Sequence, residues 1–300
     1  MYVGVTGDRQ CLVVDGVEGP FFDLIAAESG PCFGPDGKYA YSARSGQDFF
    51  VVVGDRKFGP YGGLVRGSLS FSPDGKRYAF GAGDRKPRRR VFGIIDGEIS
   101  GDYLDILEDT PRFTADSKHV IYGGLDSTGW HLVFDGQAGP AWAAITPYLA
   151  PQGEGFAYAA QKGRVFSKQV VVVNHRQIGE YKTFAQGGVI FSPDGHHFAY
   201  AARGGGFDAP WSVYLGDRKI GDYSGVGELR FLPNNTTVVF LAQGMDFRSY
   251  LVWQDQQFRF LGSGAPVAGL LSTLLTEFMQ LYCLRMISSE WTYPATKASL

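Results

Sequence analysis

The 300-residue chain has few cysteines, and its N-terminus lacks a long apolar run. Its three cysteines, Cys11, Cys32 and Cys283, stand at unrelated spacings with no Cys-x-x-Cys pair, which argues against a disulfide framework and a zinc site. We expect them to be small buried apolar residues. The opening MYVGVTGDRQ has neither a basic start nor an apolar segment, so it does not predict a secretory signal. We therefore expect a cytoplasmic protein with no metal and no cofactor.

Charge is also scarce. Charged residues make up 19% of the chain and the formal net charge is −2, which excludes a globally basic protein that coats nucleic acid. The sequence has no Gly-x-Ser-x-Gly elbow, no P-loop, no Gly-x-Gly-x-x-Gly after a strand and no His-Glu-x-x-His. We predict no catalytic residues from motifs. We expect ordinary surface or strand roles for the histidines. The side chains of the adjacent His196 and His197 should diverge, because both residues lie at the start of a strand, and the positions of His119, His131 and His175 are scattered among turns and strands.

Glycine and aromatic residues are abundant. The chain has 42 glycines, and aromatics reach 15% within a hydrophobic content of 44%, which is ample for a core. Aromatic residues fit pleated, half-buried surfaces, and glycines fit tight turns, so the composition predicts a β-rich fold.

A turn motif recurs about every 40 residues. Its six copies are FGPDG from Phe33, FSPDG from Phe71, FTADS from Phe113, LAPQG from Leu149, FSPDG from Phe191 and FLPNN from Phe231. A second turn keeps the same period in seven copies: Asp15-Gly16, Gly54-Asp55, Asp96-Gly97, Asp135-Gly136, Asn174-His175, Gly216-Asp217 and Gln254-Asp255. Short apolar runs flank both turns, as in β-hairpins, so each repeat predicts four antiparallel strands.

Four-stranded units at this period are typical of a β-propeller, and the counts indicate seven blades, with six as the alternative. Through FSPDGK at Phe71 and FSPDGH at Phe191, residues 1–262 resemble the Pro-Asp repeat propellers, the TolB-type relatives of the WD-repeat family. The Trp-Asp dipeptide of the WD repeats themselves is absent. The resemblance implies the fold more than the function, because members of this family include binding modules and the non-catalytic gates of peptidases.

The two ends of the chain depart from the repeat. Residues 2–6 match the second strand of a unit, so we expect Gly264–Leu270 to supply the missing first strand. We place the propeller at 1–264 and a tail at 265–300. In that tail Leu271, Leu274, Leu275, Phe278 and Tyr282 follow helical spacing. They predict an amphipathic helix around 268–287 that docks on the propeller or on a partner and does not span a membrane.

Strand alternation places the two kinds of turn at one edge of each unit and the more variable loops at the other. Binding residues concentrate on such loops when a scaffold positions them. The variable loops carry basic and aromatic residues suited to a protein or peptide partner, with a preference for acidic segments. These candidates are Arg85, Lys86, Arg88, Arg89, Arg90, Trp130, Lys162, Arg164, Phe207, Trp211 and Phe247.

The favoured function is a non-catalytic scaffold that binds a protein or peptide. The alternative is a hydrolase or lyase at the mouth of a central channel, in which converging carboxylates act as acid and base or hold a divalent metal. Its candidate residues are Glu28, Asp105, Glu108, Asp109 and Glu228. A third possibility is that the propeller serves a catalytic subunit on another chain.

Overall fold

The computed structural model describes residues 1–26, 28, 30–85, 90–163, 168–206, 208–253 and 256–259. Regular secondary structure in these residues is β-strand throughout. The chain divides into two compact units, Met1–Glu180 and Tyr181–Leu300. The strands form seven antiparallel sheets, which we number 1 to 7 in chain order.

The first unit holds sheets 1 to 5, with the last residue of sheet 5 at the boundary. Sheet 1 has three strands: β1 (Tyr2–Thr6), β2 (Arg9–Val14) and β3 (Val17–Glu18). Sheet 2 comprises β4 (Leu24–Ile25), β5 (Cys32–Phe33), β6 (Tyr39–Ser45), β7 (Asp48–Val53) and β8 (Arg56–Tyr61). Because β4 and β5 both pair with β6, they are two halves of one interrupted first strand.

Sheets 3 and 4 repeat the plan of sheet 2. Sheet 3 contains β9 (Gly63–Leu64), β10 (Ser70–Phe71), β11 (Tyr78–Gly83), β12 (Val91–Ile95) and β13 (Glu98–Tyr103). Sheet 4 contains β14 (Asp105–Ile106), β15 (Arg112–Phe113), β16 (Val120–Leu125), β17 (Trp130–Phe134) and β18 (Gln137–Ala138). Sheet 5 has four strands: β19 (Ala144–Leu149), β20 (Phe156–Gln161), β21 (Gln169–Val173) and β22 (Arg176–Tyr181).

The second unit holds sheets 6 and 7, each with four strands in sequential order. Sheet 6 contains β23 (Thr183–Phe191), β24 (Phe198–Arg203), β25 (Trp211–Leu215) and β26 (Arg218–Tyr223). Sheet 7 contains β27 (Gly225–Phe231), β28 (Val238–Gln243), β29 (Ser249–Trp253) and β30 (Gln256–Arg259). Seven such repeated sheets confirm the predicted fold class, a β-propeller of four-stranded antiparallel blades.

Apolar side chains between consecutive sheets form the core within each unit. Phe80 and Phe92 of sheet 3 pack with Val51 of sheet 2, and Leu132 of sheet 4 packs with Phe156 of sheet 5. The second strands are buried because small and aromatic residues alternate in them and both of their faces meet neighbours; β11, YAFGAG, is buried along its whole length.

The fourth strands of sheets 2 and 3 each carry a glycine two residues before a tyrosine, in RKFGPY and EISGDY, and the backbone geometry explains this spacing. Gly101 has φ +77 and lies in a β-bulge, where the pairing of β12 with β13 shifts register. Gly59 has φ +117 in the equivalent bulge of sheet 2. A positive φ favours glycine. The bulge changes the direction of the side chain two residues after this glycine. In sheet 3 the bulge places Tyr103 edge-on against Tyr122 of sheet 4, with 5.9 Å between the ring centroids.

Both predicted kinds of turn lie at the same edge of their sheets. Each copy of the first turn follows the last residue of a first strand, as at Phe71 and Phe113. Asp96 in the second turn of sheet 3 accepts a hydrogen bond from Tyr78 N through Oδ1, at 3.0 Å, and Tyr78 directly follows the first turn. We call this edge the turn edge. The opposite edge, the loop edge, carries the loops between second and third strands and the connections between sheets.

Several predictions concern the ends of the chain. Sheet 1 begins at the second strand, as expected. The segment Gly264–Leu270, the tail 265–300, its helix at 268–287 and Cys283 all lie outside the described residues. Cys11 is buried and Cys32 is half-buried, and both are free thiols.

Candidate functional site

The first turns of the repeats are built alike from their own polar side chains. Ser72 Oγ donates to Asp74 Oδ1 at 2.6 Å, and the same oxygen accepts Lys76 N at 3.1 Å. Sheet 6 repeats this with Ser192 and Asp194, at 2.5 Å. These side chains replace backbone partners that the turn lacks, so the recurrent Pro-Asp-Gly motif serves the fold.

The basic loop of sheet 3 lies at the loop edge. Its described ends are Arg85, whose Nη2 is 2.5 Å from Asp48 Oδ1, and Arg90, whose Nε is 3.0 Å from Asp102 Oδ1. Lys86, Arg88 and Arg89 lie outside the described residues. Both described arginines are therefore compensated by acids of their own or the adjacent sheet, and an acidic partner would have to compete with those acids.

The second basic loop shows the same compensation. Lys162 and Lys168 in sheet 5 both pair with Glu180, with Lys168 Nζ 3.0 Å from its Oε1. Hydrogen bonds from the two ammonium groups lower the pKa of Glu180, and the hydrogen bond from Lys162 has the larger effect. Arg164 lies outside the described residues.

The predicted aromatics divide into packed and exposed residues. Trp130 is half-buried against the core between sheets 4 and 5 and exchanges two backbone hydrogen bonds with Trp142. Trp211 lies under the Arg203 guanidinium, 4.7 Å from ring centroid to Cζ. Both side chains thus contact other residues of the same chain. Phe207 lies outside the described residues.

Phe247 differs from the other aromatics because its side chain is 77% exposed. It lies in the loop between β28 and β29, at φ +61, a conformation that is costly for an aromatic residue. Its N–H donates to Gly244 O at 3.0 Å, and Gln243 Nε2 donates to its carbonyl at 3.4 Å. Met245, two residues away, is 61% exposed. Met245 was not among the predicted binding residues, although it lies in the same Gly-Met-Asp-Phe-Arg loop as Phe247.

The same loop is closed by its own polar groups. Arg248 N and the Tyr250 hydroxyl donate to the two oxygens of Asp246, at 3.1 and 2.8 Å. The Tyr250 hydrogen bond is the largest cause that lowers the pKa of Asp246. The loop therefore holds Phe247 and Met245 outward on a hydrogen-bonded base, and we call these two residues the apolar tip.

The carboxylates of the enzymatic alternative are all exposed. Glu28 N donates to Ser42 Oγ at 3.0 Å, and Asp109 N donates to Arg66 O at 3.0 Å. Glu228 pairs with Arg230 at 3.1 Å. Within the described part of the chain, neither these three nor Asp105 and Glu108 belong to a group of three ligand atoms close enough to share an ion.

A cavity of about 510 Å³ lies between sheets 4 and 5. Its lining combines aromatic and polar side chains, including Asp135 and His175 of the second turns together with Trp142 and Tyr158. The His175 ring stands edge-on to Phe134 and Phe156, at 4.9 Å from each. No motif in the sequence predicts this cavity, because residues about 40 positions apart line it from two repeats.

The similarity of this chain to known proteins is found in the architecture. No family model and no curated protein matches the sequence. The chain is similar to the β-propeller domain of the Trilobed protease from Pyrococcus furiosus, with 13% identity and a TM-score of 0.39 over 78% of this chain and 83% of that one. A eukaryotic initiation factor gives 11% identity and a TM-score of 0.40 over 86% and 84%.

TolB from Acinetobacter baumannii, the kind of structure that the FSPDG motifs predicted, is 15% identical with a TM-score of 0.32 over 80% of this chain and 62% of its own. Likeness at these levels carries no argument about what the chain binds. No helix in the described ranges combines the length and hydropathy needed to cross a membrane.

Proposed function

We propose that the protein is a non-catalytic scaffold that binds a protein or peptide at its loop edge, with the apolar tip of sheet 7 as an anchor. The observation that carries the proposal is the exposure of Phe247, 77%, in a strained and hydrogen-bonded loop. Aromatic and Met side chains are enriched at interface cores. A fixed loop loses less conformational entropy on binding than a mobile one.

The chemistry of the tip favours an apolar pocket or groove on the partner. Phe247 and Met245 offer two exposed apolar side chains, whereas Asp246 and Arg248 between and beside them pair with each other at 3.6 Å. The described basic residues of the two basic loops are paired with Asp48, Asp102 and Glu180. We therefore give the apolar tip a larger role than charge in partner selection.

The test compares partner recovery by two variants of the full chain. Phe247→Ser combined with Met245→Ser removes the tip. Ile99→Ser is the matched control, because Ile99 is a 63% exposed aliphatic residue on the fourth strand of sheet 3. In affinity purification from the source cells, proteins held by the tip should be lost from the first variant and kept by the second. Equal recovery by both variants would remove the tip from the function.

A further inference from the structure

Three potential metal ligands from two neighbouring sheets meet at the turn edge. Asp116 lies in the first turn of sheet 4 and His119 follows that turn by two residues, whereas Glu154 directly follows the first turn of sheet 5. Their ligand atoms all lie within 4.8 Å of one another. An imidazole nitrogen and two carboxylate oxygens form a donor set that zinc and similar divalent ions accept.

The His119 ring is held by two neighbours. Its Nδ1 is 2.6 Å from Asp135 Oδ2, and the ring packs at a 30° tilt against Phe134, with 4.8 Å between the centroids. With the proton on Nδ1 and donated to Asp135, the lone pair lies on Nε2. Nε2 is 3.6 Å from Glu154 Oε2, too far for a good hydrogen bond but close enough for both atoms to reach one ion. Metal-bound histidines almost always have such a carboxylate or carbonyl partner.

Backbone contacts fix the spacing of the two turns. Asp116 N donates to Gly153 O at 3.0 Å, and Gly153 directly precedes Glu154. Asp116 Oδ1 accepts hydrogen bonds from Thr114 Oγ1 at 2.6 Å and Lys118 N at 3.1 Å. Lys118 Nζ lies 3.5 Å from Oδ2, on a side chain that is 74% exposed and can turn to solvent. The site is therefore organised before any ion binds.

The equivalent place between sheets 3 and 4 carries cations. Arg77 stands where His119 stands, and its Nε is 2.8 Å from Asp96 Oδ2, as His119 is bound to Asp135. Lys118 stands where Glu154 stands, and Lys38 and Lys76 occupy that position in two further repeats. The junction of sheets 4 and 5 thus replaces a guanidinium and an ammonium by an imidazole and a carboxylate. Two groups that repel a metal ion are thus replaced by two groups that can donate electron pairs to one.

We propose that Asp116, His119 and Glu154 bind one divalent transition-metal ion, for which Zn²⁺ is the probe, and that Asp135 positions the His119 ring. Water completes the coordination, because the site is open to solvent. The ion joins the turn edges of sheets 4 and 5, so binding also stabilises the folded chain against heat. This departs from the sequence expectation of no metal and of an ordinary role for His119.

Isothermal titration calorimetry with ZnCl₂ on the untagged full chain tests the proposal. We expect one ion per chain. His119→Gln and Glu154→Lys should each weaken this binding by about 100-fold, and Asp135→Asn by about 10–100-fold, as expected for a residue that orients a ligand. His197→Gln is the matched control, because His197 holds the same repeat position in sheet 6, and Thr236 of the next sheet, sheet 7, takes the place of Glu154. It should bind as the wild type does.

Glu154→Lys introduces the residue that three other repeats carry at this position, at a side chain that is 72% exposed, so the variant should fold normally. Circular dichroism of each variant checks this. Co²⁺ in place of Zn²⁺ supplies a second readout, because the position and intensity of its visible absorption depend on the ligands and their geometry, and His119→Gln should change this spectrum. Absence of Zn²⁺ binding by the wild type, or equal affinities for the wild type and Glu154→Lys, would overturn the proposal.

Discussion

Asn235 Oδ1 accepts a hydrogen bond from the backbone N–H of Asp194 at 3.1 Å, which ties the first turn of sheet 7 to the first turn of sheet 6. Sheets 3 and 4 use Ser117 for the same purpose, since its Oγ accepts Asp74 N at 3.0 Å. Asn235 and Ser117 have φ +64 and +68 at a position that other repeats give to glycine. In both cases a polar side chain at a strained position joins neighbouring sheets.

Two substitutions of Asn235 should separate the hydrogen bond from the backbone conformation. Asn235→Gly keeps the positive φ and loses the hydrogen bond, so it should lower the free energy of unfolding by about 1 kcal/mol. Asn235→Ala loses the hydrogen bond and adds about 1 kcal/mol of backbone strain. Urea denaturation followed by circular dichroism measures both. Equal stability of the glycine variant and the wild type would show that the tie contributes nothing.

The bulge glycine of sheet 3 gives a second prediction. A Cβ at Gly101 would lie 2.1 Å from Cε2 of the Tyr103 ring, at φ +77. Gly101→Ala should therefore destabilise the protein by about 2 kcal/mol or more, through strain and the displaced ring. Gly7→Ala is the control, with φ +58 and no atom within 4 Å of the added carbon. Thermal unfolding should show a clearly larger loss for Gly101→Ala, and similar losses would contradict the packing role of the bulge.

The turn aspartates predict how stability depends on pH. The Ser72 hydroxyl, followed by Lys76 N–H, lowers the pKa of Asp74, and Ser192 and His196 act likewise on Asp194. Between the lowered pKa and the unfolded value near 4, the unfolded chain binds more protons, so stability falls as the pH falls through this window.

Melting temperatures from pH 7 to pH 3 check this dependence. The titration of these aspartates should leave the melting temperature of the wild type unchanged down to about pH 4 and lower it below that pH. Asp74→Asn with Asp194→Asn keeps an amide oxygen for the turns and removes the titration, so its loss below pH 4 should be smaller. Parallel curves for the two proteins would assign the acid sensitivity to other groups.

The part of the fold that could be predicted from the sequence is the part that depends on neighbouring residues along the chain. Turn residues and short alternating runs specify hairpins within about 15 residues of chain, and their period specifies the sheets. The place of Phe71 at the end of a first strand, and the start of sheet 1 at a second strand, could therefore be predicted. The interruption of the first strands in sheets 2 to 4 could not, because it depends on how neighbouring sheets pack.

The candidate site was less predictable for the same reason. The partner of Arg85 is Asp48 in sheet 2, and the neighbour of His119 is Glu154 in sheet 5. These pairs join different repeats, and a scan along one repeat does not reveal them. A comparison of equivalent turn positions would have identified Glu154, since lysine occupies its place in three other repeats.

Photo-crosslinking at Phe247 tests the central claim, the use of the loop edge for binding, most directly. A benzophenone amino acid replaces Phe247 in one variant and Ile99 in another, and both full chains are irradiated in the source cells. We predict a discrete crosslinked protein at position 247, absent at position 99 and removed by Met245→Ser in the same chain. Crosslinks of equal yield at both positions, or none at position 247, would contradict the account.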